Sequence, residues 1–228
     1  MTTKDNKLRN LGTCLALAVL TACGGGTSDT PLPTLRITSD STGVGVDGFT
    51  VINGACPLAG CVIVPKPWPS YVNVPGYRTV NASVGGLSMK EVIDGWPLTG
   101  VKPWAQKAVE GSGVELLGLG INDGFALPPD QFAAYLVQAV TVGRASGKLM
   151  VLATPNPTFE PRVTVLAQAV RDVALEMSVP LVDIDAFMRS AYPDTSFAGD
   201  RMHPGQAAYT QIGEFVQQRL LEILKGSM

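Results

Sequence analysis

The chain is poor in charge and holds one histidine in 228 residues. Asp, Glu, Lys and Arg make up 16% of it against 46% hydrophobic residues, a balance that excludes a disordered segment or a coiled coil. Lys and Arg number 17 and Asp and Glu 19. No cationic excess is therefore available to neutralise a nucleic-acid backbone, and a nucleic-acid partner is not expected. No apolar run reaches the ~20 residues of a membrane-spanning helix. A GxSxG nucleophile elbow is missing, and so is any internal repeat. The scarcity of imidazole constrains most: a mechanism that needs a histidine base from within the chain must use His203.

The first residues read as an address. Lys4, Lys7 and Arg9 precede the apolar stretch Leu11 to Leu20, which is too short to span a bilayer and is closed by Leu20-Thr21-Ala22-Cys23. This closing tetrapeptide resembles the lipobox of bacterial lipoproteins. The resemblance implies that residues 1–22 are a cleaved signal peptide and that Cys23 is lipidated. With no Asp after Cys23, it also implies an anchor in the outer membrane of a Gram-negative cell, the protein being periplasmic or surface-exposed. Residues 23–33, with Gly24-Gly25-Gly26, read as a tether, and one domain over residues 34–228 follows. Cys56 and Cys61 have four residues between them and, in an oxidising compartment, read as a small-loop disulfide. A metal site is the alternative for this pair, but neither a histidine nor a second cysteine pair is near, and no metal or other cofactor is expected.

Along the rest of the chain, apolar strand-like runs alternate with helical periodicity. The strands expected are Leu35 to Thr38, Tyr77 to Asn81, Val114 to Gly118, Leu149 to Ala153 and Leu181 to Ile184. Helices are expected over Ser88 to Ile93, Lys102 to Val109, Pro129 to Ser146, Arg162 to Met177 and Gln206 to Leu224. Phe132, Leu136, Ala139 and Val140 share one side of the third helix, and Ile212, Phe215, Val216, Leu220 and Ile223 form the inner face of the last. The stretch from Pro57 to Pro75 reads as an irregular surface excursion. Strands apolar on both faces indicate an α/β fold: a parallel sheet of about five strands covered by helices on both sides. In such a sheet, functional residues sit beyond the carboxyl ends of the strands.

Four polar clusters fall at that edge. Ser39-Asp40-Ser41-Thr42 follows the first strand, Asn81-Ala82-Ser83-Val84-Gly85-Gly86 the second, and Gly120-Ile121-Asn122-Asp123 the third; Asp200-Arg201-Met202-His203 precedes the last helix. In kind and order these blocks resemble those of the SGNH hydrolases, the GDSL-type esterases and lipases. Ser41 matches the nucleophile, Gly86 the second block, Asn122 the third and His203 the fourth, with Asp200 three residues before the histidine. The likeness runs from about Leu35 to Leu224. The family writes Gly-Asp-Ser-Leu at the first block. The present chain has Ser39 where a glycine would permit an unusual backbone angle, and Thr42 where the family has an apolar residue.

The resemblance implies a three-layer flavodoxin-like sandwich and a serine esterase acting without cofactor on carboxylic esters of short to medium acyl chain. It implies a triad of Ser41, His203 and Asp200, and an oxyanion hole from the Ser41 and Gly86 N–H groups and the Asn122 amide. The substrate would be a small-molecule, lipid or polysaccharide ester, and O-acetyl transfer or removal on an envelope polysaccharide is the alternative. A non-catalytic envelope binding protein is a further one. The chemistry agrees with the residue types: a serine hydroxyl needs a base, histidine has an unperturbed pKa of about 6.5, and a carboxylate fixes its tautomer. Asp40 and Asp123 read as structural groups bonding nearby backbone, and Asp183 and Asp185 as solvated strand-end residues in preference to a rival carboxylate pair. Trp68, Trp96 and Trp104 read as packing residues. Gly43-Val44-Gly45-Val46-Asp47-Gly48 satisfies GxGxxG, yet no helix pattern opens there and dinucleotide binding is not expected.

Overall fold

A computed structural model describes residues 31–49, 62–111, 113–194 and 196–225. In chain order the elements are β1 (Thr34–Ser39), α1 (Ser41–Val44), a 3-10 turn (Trp68–Tyr71), β2 (Arg78–Asn81), α2 (Met89–Asp94), a second 3-10 turn (Pro97–Thr99) and α3 (Trp104–Lys107). β3 (Gly113–Gly118), α4 (Ile121–Ala126), α5 (Pro129–Ala145), β4 (Lys148–Ala153), α6 (Pro161–Glu176), β5 (Leu181–Val182), α7 (Ile184–Ala191) and α8 (Gln206–Lys225) follow. The five strands pair in the order β2-β1-β3-β4-β5, every pair parallel. This is the α/β sandwich expected, with flavodoxin-like strand order.

Alternation along the strands divides the core in two. Leu35 and Ile37 of β1, Val114 and Leu116 of β3, and Val151 and Ala153 of β4 point to one face, where Tyr209, Ile212, Val216 and Leu220 of α8 cover them. Leu117 of β3 and Met150 and Leu152 of β4 point to the other, under Phe132, Leu136 and Val140 of α5 and Leu166 and Val170 of α6. The expected inner residues of α5 are all buried; on α8, Phe215 and Ile223 are only partly so. One charged group enters the second layer. The buried Glu115 accepts from Arg36 Nε at 2.6 Å and from the Thr38 hydroxyl at 2.7 Å, so both carboxylate oxygens are satisfied.

Three local expectations are corrected. The described part of the Pro57 to Pro75 stretch, from Val62 on, is no surface excursion: Trp68, Val72 and Val74 are buried in the first core layer, and the Trp68–Tyr71 turn packs on α8. Helix α7 begins where a strand was expected to continue, because the Asp183 side chain caps it by accepting from the Ala186 N–H at 3.1 Å. Asp185 is not solvated. It is buried and paired with Arg171 at 2.8 Å and Arg189 at 2.9 Å, while Arg171 also grips Asp183. No described helix is long and apolar enough to cross a membrane.

Candidate active site

Strand β1 ends at Ser39 and the chain turns at once into α1, so Ser41 stands at the carboxyl edge of a central strand. Asp40 makes this turn. Its Oδ1 accepts from the Thr42 N–H at 2.9 Å and from the Thr42 hydroxyl at 2.8 Å. Thr42 thus supplies a second donor to a buried carboxylate. Burial pushes the Asp40 carboxyl up, and the two Thr42 bonds and the nearby His203 work against it. Ser39 keeps φ negative, unlike Ser178 and Arg201, so the position does not require glycine. Its hydroxyl donates to the Gly118 carbonyl at 2.7 Å and ties β1 to β3 just before the third block.

The loop between α7 and α8 brings the imidazole to the serine. Ser41 Oγ lies 2.8 Å from His203 Nε2, across 162 positions of sequence, and His203 Nδ1 lies 2.6 Å from Asp200 Oδ2. Asp200 Oδ1 accepts from the backbone N–H groups of Met202 at 2.9 Å and His203 at 2.7 Å. Burial opposes ionisation of Asp200, but the bonds to the His203 side chain and to these N–H groups outweigh it and hold its carboxyl below the usual range. An ionised Asp200 accepts the Nδ1 proton, which leaves the Nε2 lone pair facing the serine O–H.

Gly86 and Asn122 lie at the ends of the flanking strands, and side chains knit their loops together. Gly86 holds φ at 81°, which favours glycine. Asn122 Nδ2 donates to the Leu87 carbonyl at 3.0 Å, which spends one of its two N–H groups. Asp123 Oδ1 accepts from the Met89 N–H at 2.8 Å, where α2 begins. The Gly86 loop is joined in turn to the serine turn, since Asn81 Nδ2 donates to the Gly43 carbonyl at 3.0 Å and the Val84 N–H to the Ser39 carbonyl at 3.0 Å. Trp68 and Trp104 are core residues, as expected. Trp96 is only partly buried and lies against Gly86, so it borders this loop.

One residue was missed as a site component. Gly48, noted only as part of a GxGxxG string, packs on the Asp200–His203 loop. A Cβ there would collide with the His203 carbonyl oxygen and stand 2.5 Å from Asp200 Oδ1. The segment is held by the Tyr209 hydroxyl donating to the Val46 carbonyl at 2.8 Å and by the Asp47 N–H donating to the Val62 carbonyl at 2.9 Å. The string therefore shapes the serine–histidine junction. Cys23, Cys56 and Cys61, with the lipidation and disulfide expected of them, lie outside the described residues. Among the described residues no group of His, Cys, Asp and Glu is arranged to hold a metal ion.

Fold and site together define an α/β protein whose sheet edge carries a hydrogen-bonded serine, histidine and aspartate. Solved structures share that fold. A carbohydrate acetylesterase from Sinorhizobium meliloti superposes with a TM-score of 0.65 at 12% identity, covering 84% of this chain and 99% of that one. The M. smegmatis aryl esterase gives a TM-score of 0.63 at 16% identity over 83% of this chain and 99% of its own. An acetylxylan esterase from Geobacillus stearothermophilus gives 0.58 at 20% identity, covering 82% and 94%. No protein-family model matches the sequence. No curated protein matches it.

The buried Asp123 generates a prediction about stability. Burial pushes its carboxyl up to about 7, the Met89 N–H opposing and the Asp40 carboxylate adding to the rise. Its Oδ2 is buried with no hydrogen-bond partner among the described residues. A carboxyl raised on folding holds its proton in the native chain after the unfolded chain has lost it, so stability falls as pH rises from about 4 to about 7. The loss is on the order of 4 kcal/mol. Asp123→Asn keeps the acceptor for Met89 and cannot ionise. Urea unfolding across this range should show the variant gaining on the wild type as pH rises, whereas parallel curves would contradict the assignment.

Proposed function

We propose that this chain is a serine ester hydrolase of the SGNH type, acting on carboxylic esters of short to medium acyl chain through an acyl-Ser41 intermediate. The observation that carries this reading is the unbroken hydrogen-bonded series from Ser41 Oγ through both ring nitrogens of His203 to Asp200. The shared fold with solved esterases supports it. The altered first block gives no ground for a non-catalytic reading, since Ser39 and Thr42 both make productive hydrogen bonds.

In the proposed reaction Ser41 Oγ attacks the ester carbonyl carbon while His203 Nε2 takes its proton. Asp200 holds the ring and stabilises the imidazolium. Negative charge gathers on the carbonyl oxygen. The Ser41 N–H, as the first of a helix, has no acceptor within that helix, and it, the Gly86 N–H and the second N–H of the Asn122 amide are the donors assigned to the oxyanion. His203 then gives its proton to the departing alcohol. Water, deprotonated by the same imidazole, attacks the acyl carbon; His203 then returns that proton to Ser41 Oγ as the C–O bond breaks and the acid leaves. No metal or cofactor enters any step.

A saccharide acetyl ester is the second reading, favoured because two proteins that share the fold are a carbohydrate acetylesterase and an acetylxylan esterase. The lipid anchor at Cys23 and an outer-membrane location belong to the same proposal and rest on the sequence of residues 1–23.

Ser41→Ala should lower turnover of a short-chain aryl ester by at least about 10⁴-fold with the circular dichroism spectrum retained; unchanged turnover would remove the assignment. Gly48→Ala should cost roughly 10²-fold in kcat/KM, because the displaced His203 loop misplaces the base, and wild-type kinetics would show that the loop yields without cost. Cys23→Ser should move the protein from the membrane to the soluble fraction of cells, and retention in the membrane fraction would count against the anchor.

A further inference from the structure

Next to the Asp200–His203 loop, the surface carries groups that the reaction above does not use. Phe125 and Phe159 are 45% and 46% exposed, and their rings meet at 6.2 Å with a 55° tilt. Apolar side chains this exposed need no explanation singly, but a paired set joined to the histidine loop does. Phe125 stands three positions after Asn122 on α4, which puts both on one helical face. The exposed Arg201 lies between Asp200 and His203, with its guanidinium 6.0 Å from the centre of the Phe159 ring. It makes no ion pair or side-chain hydrogen bond among the described residues. The adjacent Asp200 is engaged with His203, and Glu160, next to Phe159, with the N–H and guanidinium of Arg162.

The patch is fixed rather than loose. The Phe159 N–H donates to the Arg201 carbonyl at 3.0 Å, and the Asn156 amide donates to the Met202 carbonyl at 3.0 Å, so the loop after β4 is joined twice to the histidine loop. Arg201 is held at φ 62°, a conformation costly for a side chain of this kind and one that recurs at binding sites. Position assigns the side of the ester. His203 must reach the departing alcohol to return its proton, so groups carried by or joined to the histidine loop are assigned to the alcohol portion.

We infer that Phe125, Phe159 and Arg201 form a subsite for the alcohol portion of the ester, selecting alcohols that carry an anionic group beside a flat apolar face. The phenyl rings take the apolar face, of an aryl group or of the C–H face of a sugar ring, and the guanidinium takes the anion. The inference rests on the esterase reading above and adds a charge preference to it.

The test compares 4-acetoxybenzoate with its neutral methyl ester. The measured quantity is the ratio of their kcat/KM values, which cancels changes common to both. Arg201→Asn removes the charge with a residue that tolerates the left-handed conformation. It should lower the anionic-to-neutral ratio roughly tenfold, as expected for a lost charge-assisted hydrogen bond. Arg201→Lys should retain part of the ratio, and 0.5 M salt should compress it in the wild type. Phe159→Leu should raise KM for both esters. Hydrolysis of both esters with the same ratio in wild type and Arg201→Asn overturns this inference alone. A wild-type protein that hydrolyses neither overturns the esterase reading and this one with it.

Discussion

The arrangement depends on one demand: a single imidazole must be delivered across 162 positions to within 2.8 Å of a serine hydroxyl. Nothing local can do this. The serine is set by the turn from β1 into α1, the histidine by a loop leading into α8, and the two are reconciled only because α8 packs on the face of the sheet that β1 helps to form. Tyr209 illustrates the coupling. It lies in the core of that face, and its hydroxyl fixes the Val46 carbonyl, in the segment where Gly48 abuts the Asp200–His203 loop. Core packing and site geometry are here the same set of contacts.

The price of the site is buried charge. Asp40 and Asp123 sit beneath the polar edge without a cationic partner: Asp40 Oδ1 accepts from the Thr42 N–H and hydroxyl, and Asp123 accepts from the Met89 N–H on one oxygen only. Burial pushes both toward their neutral forms, and the Asp40 carboxylate adds to the rise at Asp123. Such groups oppose folding near neutrality, yet Asp40 shapes the turn that carries Ser41 and Asp123 anchors the loop that carries Gly86. Stability is given up where backbone donors have to be held in fixed directions, a pattern common at reactive sites. Glu115 follows the opposite rule: far from the polar edge, it enters the core only with Arg36 and Thr38 as partners.

Much of this was legible in the residues. Apolar runs located β3 and β4, because strands buried on both faces must be largely apolar, whereas β2 is a half-exposed edge strand of Arg78, Thr79, Val80 and Asn81. Three of the four polar blocks were legible as interruptions beyond strand ends, and the fourth as a polar loop before the last helix. What escaped depends on contacts between distant segments. Gly48 gives no local sign of its role, since the atoms it accommodates belong to residues 200 and 203. Asp123 was expected to bond nearby backbone and instead bonds Met89, 34 positions back. The 3-10 turn at Trp68 sits in a Pro-rich stretch that resembles a loop, and its burial is decided by α8. Helix α7 could have been found: Asp183 directly before Ile184 is an N-cap signal, masked by the apolar strand that leads into it.

The lone histidine has a practical side. In most proteins, imidazole signals overlap and must be sorted before one of them can be followed. Here every imidazole resonance in a proton spectrum comes from the ring between Ser41 and Asp200, and a histidine-selective acylating reagent has a single imidazole to find. The protein carries its own reporter at the position where proton transfer would be watched.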